Sequence, residues 1–154
     1  MSTGEQVRRV HQLRVVVEAA DYDEAVRFYR DVLGMPEAMA FAEGGDDRVV
    51  ILEAGRATLE IANPTHKRVI DGIEAEGRPS PRIRLAFEVD DAQASTDAAT
   101  QAGADLVAAP VLTPWLSLNS RLDAPADLQI TLFQETTGAE ERSWTSGFGT
   151  DDTR

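Results

Sequence analysis

The chain has 154 residues, of which 42% are hydrophobic and none is cysteine, and its 15 basic and 27 acidic side chains leave a formal charge of −12. One domain's length with an ordinary apolar share excludes wholesale disorder, and the lack of cysteine excludes a disulfide framework and thiolate chemistry. An acidic chain is repelled by phosphate backbones and anionic lipid, so nucleic acid and membrane surfaces are not expected partners.

No apolar run approaches the roughly 18 residues of a membrane helix, and the N-terminus lacks the pattern of a signal peptide. The expectation is a soluble, cytoplasmic protein.

Residues 1–10 are polar and read as a loose N-terminus. Residues 12–18 (QLRVVVE) are rich in β-branched side chains and read as a strand. Asp21 or Asp23 then caps a helix in which Ala25, Val26, Phe28, Tyr29, Val32 and Leu33 recur at helical spacing, with Gly34 as its C-terminal stop. Residues 37–42, 48–53 and 57–62 read as three strands joined by Gly-rich turns. Asn63-Pro64 opens a connector, 64–81, with a short helix expected in KRVIDGIEAEG.

After the connector the pattern returns. Residues 82–89 (RIRLAFEV) read as a strand and Asp90 or Asp91 as a helix cap. A helix over about 92–102 ends at Gly103, and strands follow at 105–109, 116–122 and 128–133. LRVVVEAADYDEA and IRLAFEVDDAQAS align at an offset of about 70 residues, which points to a duplicated half-domain rather than a solenoid. The halves are 11–63 and 82–135, within one domain at 11–135, and 136–154 read as a flexible tail.

Two βαβββ halves carrying Phe28-Tyr29-Arg30-Asp31-Val32-Leu33-Gly34, then Ala86-Phe87-Glu88-Val89-Asp90-Asp91, Ala102-Gly103-Ala104, Thr113-Pro114-Trp115 and Leu132-Phe133, resemble the vicinal-oxygen-chelate superfamily of glyoxalases, bleomycin resistance proteins and extradiol dioxygenases. The resemblance implies an α+β fold in which two cupped sheets enclose a cavity. In many members that cavity holds a divalent metal, which polarises two neighbouring substrate oxygens. It also implies a homodimer.

Carried onto this sequence, the family's ligand positions fall on Arg14, Glu60, Arg84 and Thr131. A guanidinium stays protonated and has no lone pair for a metal, so the resemblance implies a lost metal site and no cofactor. His11 lies an odd step from Arg14 on a strand and so faces the other side, and His66 sits beside Lys67 and Arg68, a poor setting for a metal.

Arg14 and Arg84 are expected to meet in the cavity, near Glu60 and with Glu18 as a possible second acid. They form either a structural ion network or a fork for an anionic ligand. Trp115 is either a packed aromatic or a stacking wall near the opening. Ser117, Asn119 and Arg121 alternate with leucines, so Asn119 and Arg121 are candidate ligand contacts if their face lines the cavity rather than the outside. Met35, Met39 and Phe41 are core residues or an adaptable wall.

Three functions follow. The leading one is a metal-independent module that binds or sequesters a small organic molecule. The second is a lyase, isomerase or dioxygenase-type enzyme of the same superfamily, and the third is a scaffold that only dimerises.

Overall fold

A computed structural model describes residues 12, 14–58, 60 and 62–136. The loose N-terminus at 1–10, His11 and the tail from 137 onward lie outside the described residues.

The chain first forms helix α1 (Tyr22–Val26), which runs directly into a π-helical segment (Arg27–Val32). The hairpin β1 (Glu37–Gly44) and β2 (Asp47–Leu52) follows, and then helix α2 (Pro64–Glu74) in the connector. The second half is β3 (Leu85–Glu88), α3 (Ala92–Gln101), β4 (Asp105–Leu112), β5 (Ser117–Ala124) and β6 (Leu128–Glu135).

Local chemistry fixes the helix ends. Asp21 caps α1 by accepting the Glu24 N–H at 3.0 Å, and Asp91 caps α3 by accepting the Ala94 N–H at 3.0 Å. Asn63 caps α2, with Pro64 pre-set in its first turn. Gly34 and Gly103 follow the helices at φ +74° and +107°, a backbone region in which a side chain is strained. The first helix is not α-helical throughout: the Leu33 N–H reaches back five residues to the Phe28 carbonyl at 2.9 Å.

The second half assembles a four-stranded sheet in the order β3-β6-β5-β4. β3 runs parallel to β6, and the other two pairs are antiparallel. One face of this sheet carries the apolar core. Leu122, Ile130 and Leu132 are completely buried there against Ala25, Phe28 and Tyr29 of the first helix and Ala99 of α3. Each such side chain contributes about 1.5–3 kcal/mol by leaving water. Tyr29 packs edge-on to Phe28 at 5.0 Å and donates its hydroxyl to the Pro125 carbonyl at 2.9 Å. On the same face the buried hydroxyls of Thr96 and Ser120 pair at 2.7 Å.

The α+β class and the second βαβββ unit stand as the sequence predicts. Among the described residues, two predicted strands of the first half do not form. Residues 14–19 carry no regular structure, and Val15, Val16 and Val17 are 53%, 86% and 40% exposed. Of 57–62, the described residues 57, 58, 60 and 62 are likewise not in a strand. A strand exists only where its N–H and C=O groups find a neighbouring strand. Among the described residues, the paired strands of the first half are those of the β1–β2 hairpin, joined from Glu37 with Leu52 to Gly44 with Asp47.

Candidate functional site

Along β5 the side chains alternate between the two faces of the sheet. Leu122 and Ser120 meet the first helix and α3, while Ser117, Asn119 and Arg121 point the other way. The strand register aligns Arg121 with Thr131 on β6, and Thr131 with Ala86 on β3. Arg84, two residues before Ala86, shares that face and donates to the Thr131 hydroxyl. The polar face is not open to water at its centre. Arg121 is 0% exposed and Thr131 1%, because helix α2 lies across them.

Helix α2 covers this face with carboxylates. Its buried residues are Ile70, Asp71 and Glu74. Arg121 Nη1 donates to Asp71 Oδ1 at 3.0 Å and to Gln129 Oε1 at 3.0 Å. Arg121 Nη2 stands 3.7 Å from Glu74 Oε1, and that oxygen accepts from Thr131 Oγ1 at 3.1 Å. The second oxygen of Asp71 accepts from Lys67 Nζ at 3.0 Å and from the Ser80 N–H at 3.1 Å.

Burial alone would push the Asp71 carboxyl upward. The hydrogen bonds from Ser80, Arg121 and Lys67 outweigh it and hold the group below its ordinary value of 3.8. The Arg84 pKa is lowered, first by burial and then by the nearby Arg121 charge, against the attraction of Glu74, Glu60 and Asp71.

The network is not closed. Arg121 Nε and Nη2 are buried and have no hydrogen-bond acceptor among the described residues. Three cations (Lys67, Arg84 and Arg121) face two buried carboxylates, which leaves one positive charge and an unfilled edge of a guanidinium fork. An unmet buried donor costs about 1–3 kcal/mol, and more when it is charged.

The expected quartet is therefore only half assembled. Arg84 and Thr131 touch, but Arg14 lies exposed in irregular chain, where its Nη2 donates to Gln12 Oε1 at 3.2 Å. Without a first strand nothing brings Arg14 to the polar face. Glu18 is exposed and does not join the acids. Glu60 is exposed and acts on Arg84 through its charge alone, without an ion pair among the described residues.

Asn119 is buried at the far end of the face. It accepts from Ser117 Oγ at 2.6 Å, and Ser117 Oγ in turn pairs with Thr113 Oγ1 at 3.0 Å. Trp115 sits half-buried in the Thr113–Ser117 turn, next to Leu116 at φ +64°. Met35 packs against the core, whereas Met39 and Phe41 are 52% and 56% exposed on the hairpin.

The sequence reading missed Asp71, Glu74, Lys67 and Gln129. A signal for the acids was present: Ile70, Asp71 and Glu74 share one helical face, and Lys67 lies four residues before Asp71 on that face. A separate cleft of about 350 Å³ lies between the first helix and the hairpin. Its walls carry exposed ion pairs, Arg48 with Asp23 at 3.1 Å and Arg30 with Asp31 at 2.8 Å, and none of the residues singled out by the sequence as site candidates.

The donor set does not suit a divalent metal. Two of the four family positions are guanidinium groups with no lone pair, and a third is a hydroxyl that already bonds Arg84 and Glu74. Among the described residues no three His, Cys, Asp or Glu side chains gather closely enough to hold such an ion. No described helix is long and apolar enough to cross a membrane.

The family described as Glyoxalase-like domain matches residues 14–133. No curated protein matches the chain. Among solved structures, a member of the glyoxalase/bleomycin resistance protein/dioxygenase superfamily from Sphaerobacter thermophilus is 19% identical at a TM-score of 0.51, covering 77% of this chain and 92% of that one. A protein of unknown function from Agrobacterium tumefaciens is 21% identical at a TM-score of 0.50, covering 82% and 97%. A glyoxalase-related enzyme from Fulvimarina pelagi is 15% identical at a TM-score of 0.50, covering 84% and 94%. At these identities the likeness is one of fold.

Proposed function

Because the chain belongs to the glyoxalase-like domain family, we propose that it is a metal-independent member that binds a small anionic or carbonyl-bearing organic molecule on the face formed by Arg84, Arg121 and Thr131. The observation that carries this reading is the buried Arg121 fork, whose Nε and Nη2 have no acceptor among the described residues, set beside a second arginine and a hydroxyl. A guanidinium edge is matched in geometry and charge to a carboxylate or phosphate. Asn119, with its amide in a buried hydroxyl cluster, is read as an adjacent polar contact, and the half-buried Trp115 of the neighbouring turn as an aromatic wall.

The acidic surface favours cationic drugs, but on this face the three cations Lys67, Arg84 and Arg121 outnumber the two buried carboxylates Asp71 and Glu74 and favour the opposite charge. The enzymatic alternative requires a general base. Asp71, held below its ordinary pKa by its cationic partners, is a poor one near neutral pH.

The chain is also proposed to act as a homodimer. Support comes from the exposed apolar side chains of the first half, with Val16 at 86%, Phe41 at 56% and Met39 at 52%.

The test is a thermal-shift and calorimetric screen of small carboxylates and phosphates, run on wild type and Arg84→Met. A hit bound by wild type is expected to weaken by about 1.5–3 kcal/mol in the variant, the scale of a charged hydrogen bond. Chelator is expected to leave the melting temperature and the binding unchanged. Stoichiometric metal in purified protein, or binding indifferent to Arg84, would overturn the reading.

A further inference from the structure

We infer that helix α2 is a displaceable internal ligand: Asp71 and Glu74 occupy the Arg84–Arg121–Thr131 face as a stand-in for an anion, and a small anionic molecule binds by taking their place as the helix lifts. This rests on the reading of that face as an anion site.

Three observations carry it. The first is the chemistry of the contact. The buried face of α2 is Ile70, Asp71 and Glu74, followed by Ala75, so the helix is seated largely by carboxylates on guanidinium and hydroxyl groups rather than by a wide apolar stripe. Val69 of the same helix remains 51% exposed. Buried ion pairs contribute little net stability, because desolvation offsets most of the attraction. An anion that offers the same oxygens replaces the contact without a large loss.

The second is the poor fit of the occupant. Glu74 Oε1 stops 3.7 Å from Arg121 Nη2, and Nε is left with no acceptor. The helix carboxylates thus engage only one nitrogen of the fork at hydrogen-bond distance. A free carboxylate or phosphate is not tethered to a helix backbone and can pair both edges.

The third is the way the helix is joined to the chain. At its C-terminal end Glu76 and Gly77 adopt φ +55° and +84°, and the Ala75 and Gly77 N–H groups both return to the Asp71 carbonyl at 2.9 Å. A short turn of this kind, with Asn63-Pro64 at the opposite end, gives α2 two defined ends about which to move as a unit.

Inorganic phosphate is the probe, titrated against chloride at constant ionic strength. Affinity is read by NMR titration, and hydrogen exchange is followed over 64–77. Glu74→Gln, which removes the anion but keeps the side chain's size, is expected to bind phosphate about tenfold more tightly than wild type. Glu76→Gln, which removes the same charge from an exposed position on the turn, is expected to leave the affinity unchanged. In wild-type protein, which needs no variant to fold, phosphate is expected to speed exchange of the α2 amides.

If Glu74→Gln binds no more tightly than Glu76→Gln, or if phosphate slows α2 exchange, the displacement is overturned. The anion site still stands in that case, provided Arg84→Met weakens binding. Absence of saturable phosphate binding in both wild type and Glu74→Gln overturns the site and the displacement together.

Discussion

The two halves carry the same element order in sequence and differ sharply in what they bury. In the second half every β5 residue from Ser117 to Leu122 is buried or half-buried, with helices on both faces of the sheet. In the first half the hairpin stands with Met39, Phe41 and Val49 about half exposed, and the β-branched run at 15–17 pairs with nothing described. The comparison teaches that a repeated strand pattern specifies a readiness to pair. Burial and hydrogen bonding come only with a neighbour on the correct edge.

The strongest way to break this comparison is to cut an ion pair in each half. Arg121→Met is expected to cost about 3–5 kcal/mol, because it strands the buried carboxylates of Asp71 and Glu74. Adding Asp71→Asn and Glu74→Gln is expected to recover part of the loss. Arg48→Met, which removes an exposed pair with Asp23, is expected to cost no more than about 1 kcal/mol. Urea unfolding measures both, and equal losses would show that the halves are not so different.

Apolar truncation follows. Leu132→Ala is expected to cost about 2–5 kcal/mol through lost burial and the cavity left behind. Met39→Ala, on the exposed hairpin, is expected to stay within about 0.5 kcal/mol of wild type.

Acid gives a smaller and more selective effect. The folded Asp71 carboxyl lies below its ordinary value of 3.8, so the unfolded chain takes up that proton first as the pH falls. The stability Asp71 contributes is fully present above about pH 4 and is lost progressively below it, down through the folded pKa. Urea midpoints at pH 7 and pH 3 are expected to converge in part when Asp71→Asn removes the titrating group.

The smallest difference between the two halves is expected at their helix caps. Asp21→Ala and Asp91→Ala each lose one helix cap, at about 0.5–2 kcal/mol. A cap is local and does not depend on which half surrounds it. A large difference between the two variants would sharpen the contrast further.

Much of the second half was legible in the sequence because its signals are local or periodic. The Asp90-Asp91 pair, Gly103 and the alternation of Ser117, Asn119 and Arg121 with leucines each place an element or a face without reference to distant residues. The quartet came from the family resemblance rather than from local signals, and the structure brings two of its members together: Thr131 lies on β6 and Arg84 directly precedes β3, which pairs with β6. Arg14 and Glu60 were assigned by analogy to strands that the described chain does not form. Asp71 and Glu74 were missed because KRVIDGIEAEG was read as a connector, and no sequence period says that a connector helix folds back over a sheet.

By itself the sequence determined the α+β class, the approximate helix starts and the alternation of polar and apolar residues along β5, since these depend on side-chain chemistry and on periods of two and 3.6. Only the tertiary structure decided what covers the polar face. The pairing of Arg121 with Asp71 joins residues 50 positions apart, and that of Thr131 with Glu74 joins residues 57 apart. At such separations the partner is chosen by where the sheet and the helix come to rest, because charge attracts any opposite charge within reach and carries no address in the sequence.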